Sequence, residues 1–167
     1  MLLEDGGGPG LRAANGFDWR CVTDGVMGGV SQAALVRTVV EGRNALHLTG
    51  DVRLENNGGF AQMALDLAAP GEVLDASQHH ALLLVVRGNG QEYNIHLRSP
   101  DMTRVWQSWR ASFRAPESWE TLRLPLVQFT PYRTDLAVNP ARLSRIGLVA
   151  IGRAMRADLA LARLELV

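Results

Sequence analysis

Short apolar segments separated by turn signals follow one another along almost the whole sequence, with no long amphipathic helix between them. The clearest segment is 92–98, where Tyr93, Ile95 and Leu97 alternate with polar residues, the period of a strand with one buried face. The run "ALLLVV" at 81–86 is apolar throughout, as in a strand covered on both faces. About ten such segments with regularly spaced turns predict an all-β fold, a sandwich or a barrel.

The pattern also predicts where the strands and the few helical turns lie. Pro140 at the first helical position of "NPARLSR", 139–145, predicts a short helix of about two turns, and 127–130 predicts a single 3₁₀ turn. The glycine-rich start predicts a flexible tail over 1–15, followed by a single domain over 16–167. The predicted strands are 17–23, 33–40, 44–54, 60–67, 81–86, 92–98, 105–113, 119–126, 146–152 and 159–167.

Composition excludes several classes of function. Seventeen basic residues, all Arg, balance seventeen acidic residues, so no net field favours nucleic acid. Without Lys, neither Schiff-base chemistry nor a phosphate-loop lysine is available. The single Cys21 forms no internal disulfide and no cysteine metal cluster, and we expect no catalytic metal and no cofactor. A structural Ca²⁺ stays open, because carboxylates and loop carbonyls suit that cation. The absence of a membrane-length apolar run and of a signal-like start predicts a cytoplasmic protein without membrane insertion.

Two glycine-rich loops are the most distinctive motifs, "DGVMGGVS" at 24–31 and "ENNGGFAQ" at 55–62. A dinucleotide cradle needs a following helix, but the residues after the first loop favour a strand. A nucleophile elbow around Ser31 needs a strand-to-helix turn and a partnered His, and the sequence pattern assigns no His as the partner of Ser31. A hydrolase with paired carboxylates stays open, although no spacing requires it. We therefore predict no catalytic residue.

The loops are also explained by backbone geometry alone. Consecutive glycines permit positive φ and close backbone approach, and Asp or Asn side chains accept hydrogen bonds from turn N–H groups. We expect Asp24 to cap the first loop, Asn56 and Asn57 to cap the second, and Met27 and Phe60 to anchor the two loops side by side. We also expect Gly29 and Gly59 to adopt positive φ.

The same loops carry a resemblance to a known family. "TDGVMGGVSQ" and "LENNGGFAQM" resemble the paired signature of the complex I intermediate-associated protein 30 family, which includes assembly factors of NADH:ubiquinone oxidoreductase. The resemblance continues through "LLLVVRGNGQEYNIHLRS", "WRASFRAPESWETLRLPLVQFTP" and "RLSRIGLVAIG". It implies a galactose-binding-like β-sandwich jelly roll with one or two short helical turns, and no catalytic residue.

Two functions follow from the resemblance. The first is a non-catalytic protein-binding module that assists assembly of a respiratory or other membrane-associated complex, with a subunit or intermediate of that complex as partner. Its candidate contacts lie in the exposed parts of the glycine loops: Asp24, Met27, Asn56, Asn57 and Phe60.

The alternative is a jelly roll that binds carbohydrate or another small polar ligand. Pleat parity places one set of side chains from 92–98 and 105–113 opposite the core, and Trp and Arg there suit either sugar stacking or a protein hot spot. The core set is Tyr93, Ile95, Leu97, Val105, Trp109 and Phe113. The candidate ligand residues are Asn94, His96, Arg98, Trp106 and Arg110. We prefer the protein-binding function, because the glycine loops carry the specific part of the resemblance.

Overall fold

The computed structural model describes residues 1–167 and contains twelve strands and three 3₁₀ turns. The 3₁₀ turns span Asp24–Met27, Glu55–Asn57 and Leu126–Gln128. The strands are β1 Leu2–Glu4, β2 Arg20–Thr23, β3 Gln32–Val40, β4 Arg43–Val52, β5 Phe60–Asp66, β6 Ala81–Gly88, β7 Glu92–Arg98, β8 Ser108–Arg114, β9 Glu120–Pro125, β10 Thr130–Tyr132, β11 Arg145–Ile151 and β12 Met155–Leu166.

The strands form two antiparallel sheets that pack face to face as a β-sandwich jelly roll, which confirms the fold that the family resemblance implies. One sheet, the cleft sheet, has the order β10-β8-β7-β11-β5-β2. The other, the back sheet, has the order β3-β4-β12-β6-β9, with β1 paired to β12. One apolar cluster fills the space between the sheets, and its bulkiest members are Trp19, Trp109 and Tyr93. No helix has the length and apolar character needed to cross a membrane.

Three local predictions are wrong, each because a distant contact overrides the local pattern. Residues 139–145 form a turn instead of a helix: Asn139 Oδ1 accepts a bond from the Ala141 N–H, and Leu143 makes an isolated β-bridge with Leu74. The strand predicted at 105–113 begins only at Ser108, and Val105, expected in the core, is 78% exposed.

The N-terminal segment is the third correction, since the expected flexible tail is part of the back sheet. Leu2–Glu4 pair with β12, and Leu3 is buried in the core. The Glu4 carboxylate is fully buried. It accepts hydrogen bonds from the Trp19 indole N–H at 2.8 Å and from the Arg37 guanidinium at 2.7 Å. This ion pair ties the first residues of the chain to β3.

We expect Arg37→Met to destabilise the domain by about 3–5 kcal/mol, because it leaves the buried Glu4 carboxylate without its counter-charge. The measurement is urea unfolding followed by Trp fluorescence. Arg123→Met is the matched control, since Arg123 is exposed on β9 and makes no ion pair. Equal stability of the two variants would contradict a structural role for the buried pair.

Candidate functional site

The two glycine loops lie side by side, as predicted, and the Asp24 carboxylate joins them. Oδ1 accepts a hydrogen bond from the Ser31 N–H at 3.0 Å, while Oδ2 accepts one from the Gly59 N–H at 2.6 Å. The Ser31 hydroxyl and the Phe60 N–H also donate to Oδ2. Asn56 Nδ2 adds a bond to the Gly28 carbonyl at 3.2 Å. Asp24 therefore holds the second loop against the first.

Burial and hydrogen bonding act in opposite directions on Asp24. Desolvation opposes its ionisation, but the bonds from the Ser31 hydroxyl and from the three backbone N–H groups outweigh it, so the pKa of Asp24 lies below its ordinary value. The side chain is 0% exposed. The proposed contact role of Asp24 is therefore wrong for the folded chain, because no partner reaches this carboxylate while the loops are closed.

The glycines of the two loops serve two different geometric needs. Gly59 adopts a φ of +131°, as predicted. In the first loop the positive φ, +84°, belongs to Gly28, and the expectation for Gly29 is wrong. Gly29 is required for another reason: a Cβ atom there would collide with the Asp24 carboxylate. Gly29 thus leaves the space that the buried Asp24 carboxylate occupies.

A cleft crosses the outer face of the cleft sheet, between the glycine loops and the loop 99–107. Phe60 at the start of β5 pairs with Ile151, whereas Arg98 at the end of β7 pairs with Arg145. The glycine loops and the loop 99–107 form the two lips of the cleft, and they therefore project from opposite ends of the sheet. The cavity measures about 300 Å³, the lower end of the range for ligand pockets. Its lining includes Val22, Val26, Met27, Asn57, Phe60, Gln62, His96, Arg98, Val105, Trp106, Gln107, Ser108, Tyr132, Arg133, Arg145, Val149 and Ile151.

Arg98 shapes the lip that carries Trp106. Its Nη1 donates to the carbonyls of Arg104, Val105 and Gln107 at 3.1, 2.9 and 2.6 Å. The Gln107 side chain accepts bonds from the N–H groups of Thr103 and Arg104, both at 3.0 Å. These bonds hold 99–107 as a closed loop. They explain why β8 starts late and why Trp106 is half exposed at the cleft instead of lying on the sheet.

The cleft carries positive charge and uncompensated polar groups. Burial, together with the charges of Arg110 and Arg98, lowers the pKa of His96 to about 4, so the ring is neutral at pH 7. Burial and the nearby Arg145 also lower the pKa of Arg98. His96 Nε2 and Ser108 Oγ are buried without a hydrogen-bond partner. Most buried polar groups in proteins are paired, so these two atoms mark the cleft floor as unusual.

The structure brings together most members of the two candidate sets, which the sequence had kept apart. Met27, Asn57 and Phe60 from the loops line the same cleft as His96, Arg98 and Trp106. Four candidates lie outside the lining, and the first is the buried Asp24 described above. The other three are Asn56, which bonds the Gly28 carbonyl, Asn94, which is buried and accepts from Ser112 Oγ, and Arg110, whose guanidinium lies 3.8 Å from the Tyr132 ring centroid.

Sequence reasoning missed several lining residues, chiefly Val26, Tyr132, Arg133 and Arg145. Tyr132 and Arg145 reach the cleft through strand pairings distant in sequence, β10 with β8 and β11 with β7. No group of three or more His, Cys, Asp or Glu side chains is placed to hold a metal ion. The side chains that line the cleft offer hydrogen bonds, cationic attraction and apolar contact.

We expect Asp24→Asn to destabilise the domain by more than about 2 kcal/mol at neutral pH, because buried donors lose an ionised acceptor. The low folded pKa of Asp24 means that its contribution is full above about pH 4, the unfolded value, and disappears as pH falls through the folded pKa. Urea unfolding from pH 7 to acid should therefore show the gap between wild type and variant closing below about pH 4. A stability difference that does not change with pH would contradict the conclusion that an ionised Asp24 joins the loops.

The two neighbouring glycines give a second, matched prediction. Gly28→Ala introduces only positive-φ strain, about 1–2 kcal/mol, because nothing lies within 4 Å of the added Cβ. Gly29→Ala displaces the Asp24 carboxylate and should cost more, since several hydrogen bonds are lost together. Urea unfolding of both variants makes the comparison, and an equal loss would show that the carboxylate does not need the space at Gly29.

Solved structures of similar fold are jelly-roll carbohydrate-binding modules of the galactose-binding-like type. The family 11 carbohydrate-binding module from Clostridium thermocellum, in complex with a β-1,3-1,4-mixed-linked tetrasaccharide, has a TM-score of 0.74 at 14% identity, covering 99% of this chain and 94% of that one. The family 30 module of the cellulosomal cellulase Cel9D-Cel44B from the same organism has a TM-score of 0.69 at 13% identity, covering 99% and 95%. At such identities the likeness shows the fold alone.

An exo-β-agarase also contains this fold, with a TM-score of 0.59 at 10% identity over 99% of this chain and 25% of that one. No curated protein matches the sequence. The sequence profile described as complex I intermediate-associated protein 30 matches residues 12–162, nearly the whole chain and both glycine loops. The chain belongs to the complex I intermediate-associated protein 30 family.

Proposed function

We propose that this domain is a non-catalytic protein-binding module that assists the assembly of a larger complex, and that its cleft is the contact surface. The observation that carries the proposal is the exposure of apolar side chains on both lips. Val26 and Met27 are 75% and 51% exposed on one lip, and Val105 and Trp106 are 78% and 50% exposed on the other. Clustered exposed apolar groups with a polar surround mark interaction sites.

The kinds of side chain in the cleft also favour a protein partner. Trp and Arg contribute most strongly to protein interfaces, and Met adapts to irregular partner surfaces. The lining contains no carboxylate and a single His whose ring is neutral, so it lacks an acid–base pair. Membership in a family named for an intermediate of complex I supports an assembly role, with a respiratory-complex subunit or intermediate as the proposed partner.

One observation favours a second function, binding of a carbohydrate or another small polar ligand. Trp106 is half exposed beside His96 and Arg98, an apolar platform next to polar groups. One similar structure, the family 11 module, holds a tetrasaccharide. Against this, the most exposed side chains of the lips besides Trp106 are the aliphatic Val26, Met27 and Val105, and the rings of Phe60 and Tyr132 are only partly exposed.

The test is affinity capture from the native cell with three tagged proteins, followed by quantitative mass spectrometry. The lip variant, Val26→Ser/Met27→Ser/Trp106→Ser, removes exposed apolar side chains from both lips. Val36→Ser/Val39→Ser/Val127→Ser is the matched control, because it removes three exposed apolar groups outside the cleft. We expect a protein that is retained by wild type and control and reduced at least about tenfold with the lip variant.

A glycan array run with the same proteins and with Trp106→Ala separates the two functions. Glycan binding that Trp106→Ala abolishes, together with no protein dependent on the lips, would replace protein binding by the ligand-binding function. Melting temperatures of all variants check that the fold is intact.

A further inference from the structure

Three of the nine arginines that form no ion pair lie at one end of the cleft. Eight arginines of the chain form ion pairs with carboxylates, among them Arg145 with Asp66 at 3.0 Å. Arg98, Arg110 and Arg133 are in none of these pairs, and they surround His96 and Tyr132. The other six unpaired arginines are not part of this group, which is distinguished by its place around the cleft floor.

The guanidinium groups are held in place although no carboxylate neutralises them. The Arg110 guanidinium lies over the Tyr132 ring at 3.8 Å and that of Arg133 lies 5.2 Å from the same ring centroid, contacts that orient a cation without cancelling its charge. Arg98 uses only Nη1 on the loop carbonyls, so its Nε and Nη2 donors remain. Arg presents its donors in a planar fork that matches a carboxylate.

The surroundings of these arginines indicate the chemistry of the ligand. A carboxylate placed between Arg98 and Arg133 meets no acidic lining residue that would repel it. Next to this cationic end lie Val105 and Trp106, and Met27 lies at the far lip. Aliphatic lips suit apolar side chains, whereas a polyanionic glycan offers only the C–H faces of its sugar rings to cover them. Charge and apolar surface together therefore favour a peptide.

We propose that the cleft binds an acidic segment of the partner protein, with Asp or Glu carboxylates on Arg98 and Arg133 and neighbouring apolar side chains over Met27 and Trp106. This proposal rests on the protein-binding function proposed above and specifies the partner's chemistry. The segment occupies a cavity of about 300 Å³. Only a few side chains fit in that volume, so recognition depends on a short motif.

The test uses a displayed library of short random peptides and three forms of the full chain. Arg133→Gln is the test variant, because Arg133 is exposed and makes no hydrogen bond or ion pair whose loss would unfold the cleft. Arg123→Gln on the back sheet is the matched control, with the same change of charge. We expect selection of peptides that place Asp or Glu beside apolar residues.

The selected peptide then gives a quantitative readout by fluorescence anisotropy. Loss of one charged hydrogen bond predicts about tenfold weaker binding to Arg133→Gln and unchanged binding to Arg123→Gln. Replacing the peptide's Asp and Glu by Asn and Gln should weaken binding as much, and about 0.5 M NaCl should weaken it further. Bound carboxylate should also raise the pKa of His96 from about 4, which NMR titration of the imidazole detects.

Each other outcome overturns the proposal in a distinguishable way. Selection of apolar peptides without acidic residues, bound equally by Arg133→Gln, would overturn the acidic motif while protein binding stands. Selection of no peptide, with Arg133-dependent binding of polygalacturonate, would overturn protein binding itself and identify the anion as a glycan. Equal weakening by Arg123→Gln would show that overall charge, and not the cleft, attracts the peptide.

Discussion

The buried Asp24 carboxylate is the interaction on which the cleft depends. It accepts hydrogen bonds from Ser31, Gly59 and Phe60, and so joins residues that are far apart in sequence. Burying a charge is costly unless hydrogen bonds replace water, and here they do. The resulting joint fixes the end of β2 and the start of β5, and it places Met27 and Phe60 at the edge of the cleft sheet.

Arg98 organises the opposite lip, as Asp24 organises the glycine loops. It donates hydrogen bonds to three carbonyls of the loop 99–107. These bonds hold the loop closed, so that β8 begins only at Ser108 and Trp106 faces outwards. One buried anion and one half-buried cation thus organise the two lips. The sheet between them supplies a floor whose pleat, through His96 and Ser108, presents polar groups to the cleft.

The sequence allowed good prediction where structure is set locally. The strand 92–98 has the predicted bounds, because strict alternation is a property of the segment itself. The side-by-side loops were also predicted, since their glycines and polar residues require tight turns. The strand at Leu2–Glu4 and the turn at 139–145 were not predicted, because each depends on a partner remote in sequence, β12 for the first and Leu74 for the second.

The candidate site shows the same division. Met27, Phe60, His96, Arg98 and Trp106 could be selected from residue type and parity, but only as two separate sets. Their union in one cleft follows from the pairing of β11 with both β5 and β7. That pairing also brings Arg145 to the cleft, and no short-range pattern predicts it.

The buried polar and charged groups at the cleft are paired less completely than those in the rest of the chain. Elsewhere a buried charge has a counter-charge or a set of donors, as Glu4 has Arg37 and Asp24 has the loop N–H groups. At the cleft Arg98 has no carboxylate partner, although its Nη1 donates to three loop carbonyls, and the buried His96 Nε2 and Ser108 Oγ lack partners. Such groups reduce stability. The other buried polar side-chain groups of the chain have partners, and the donors that Arg98 leaves unused fit a surface whose missing partner belongs to a ligand.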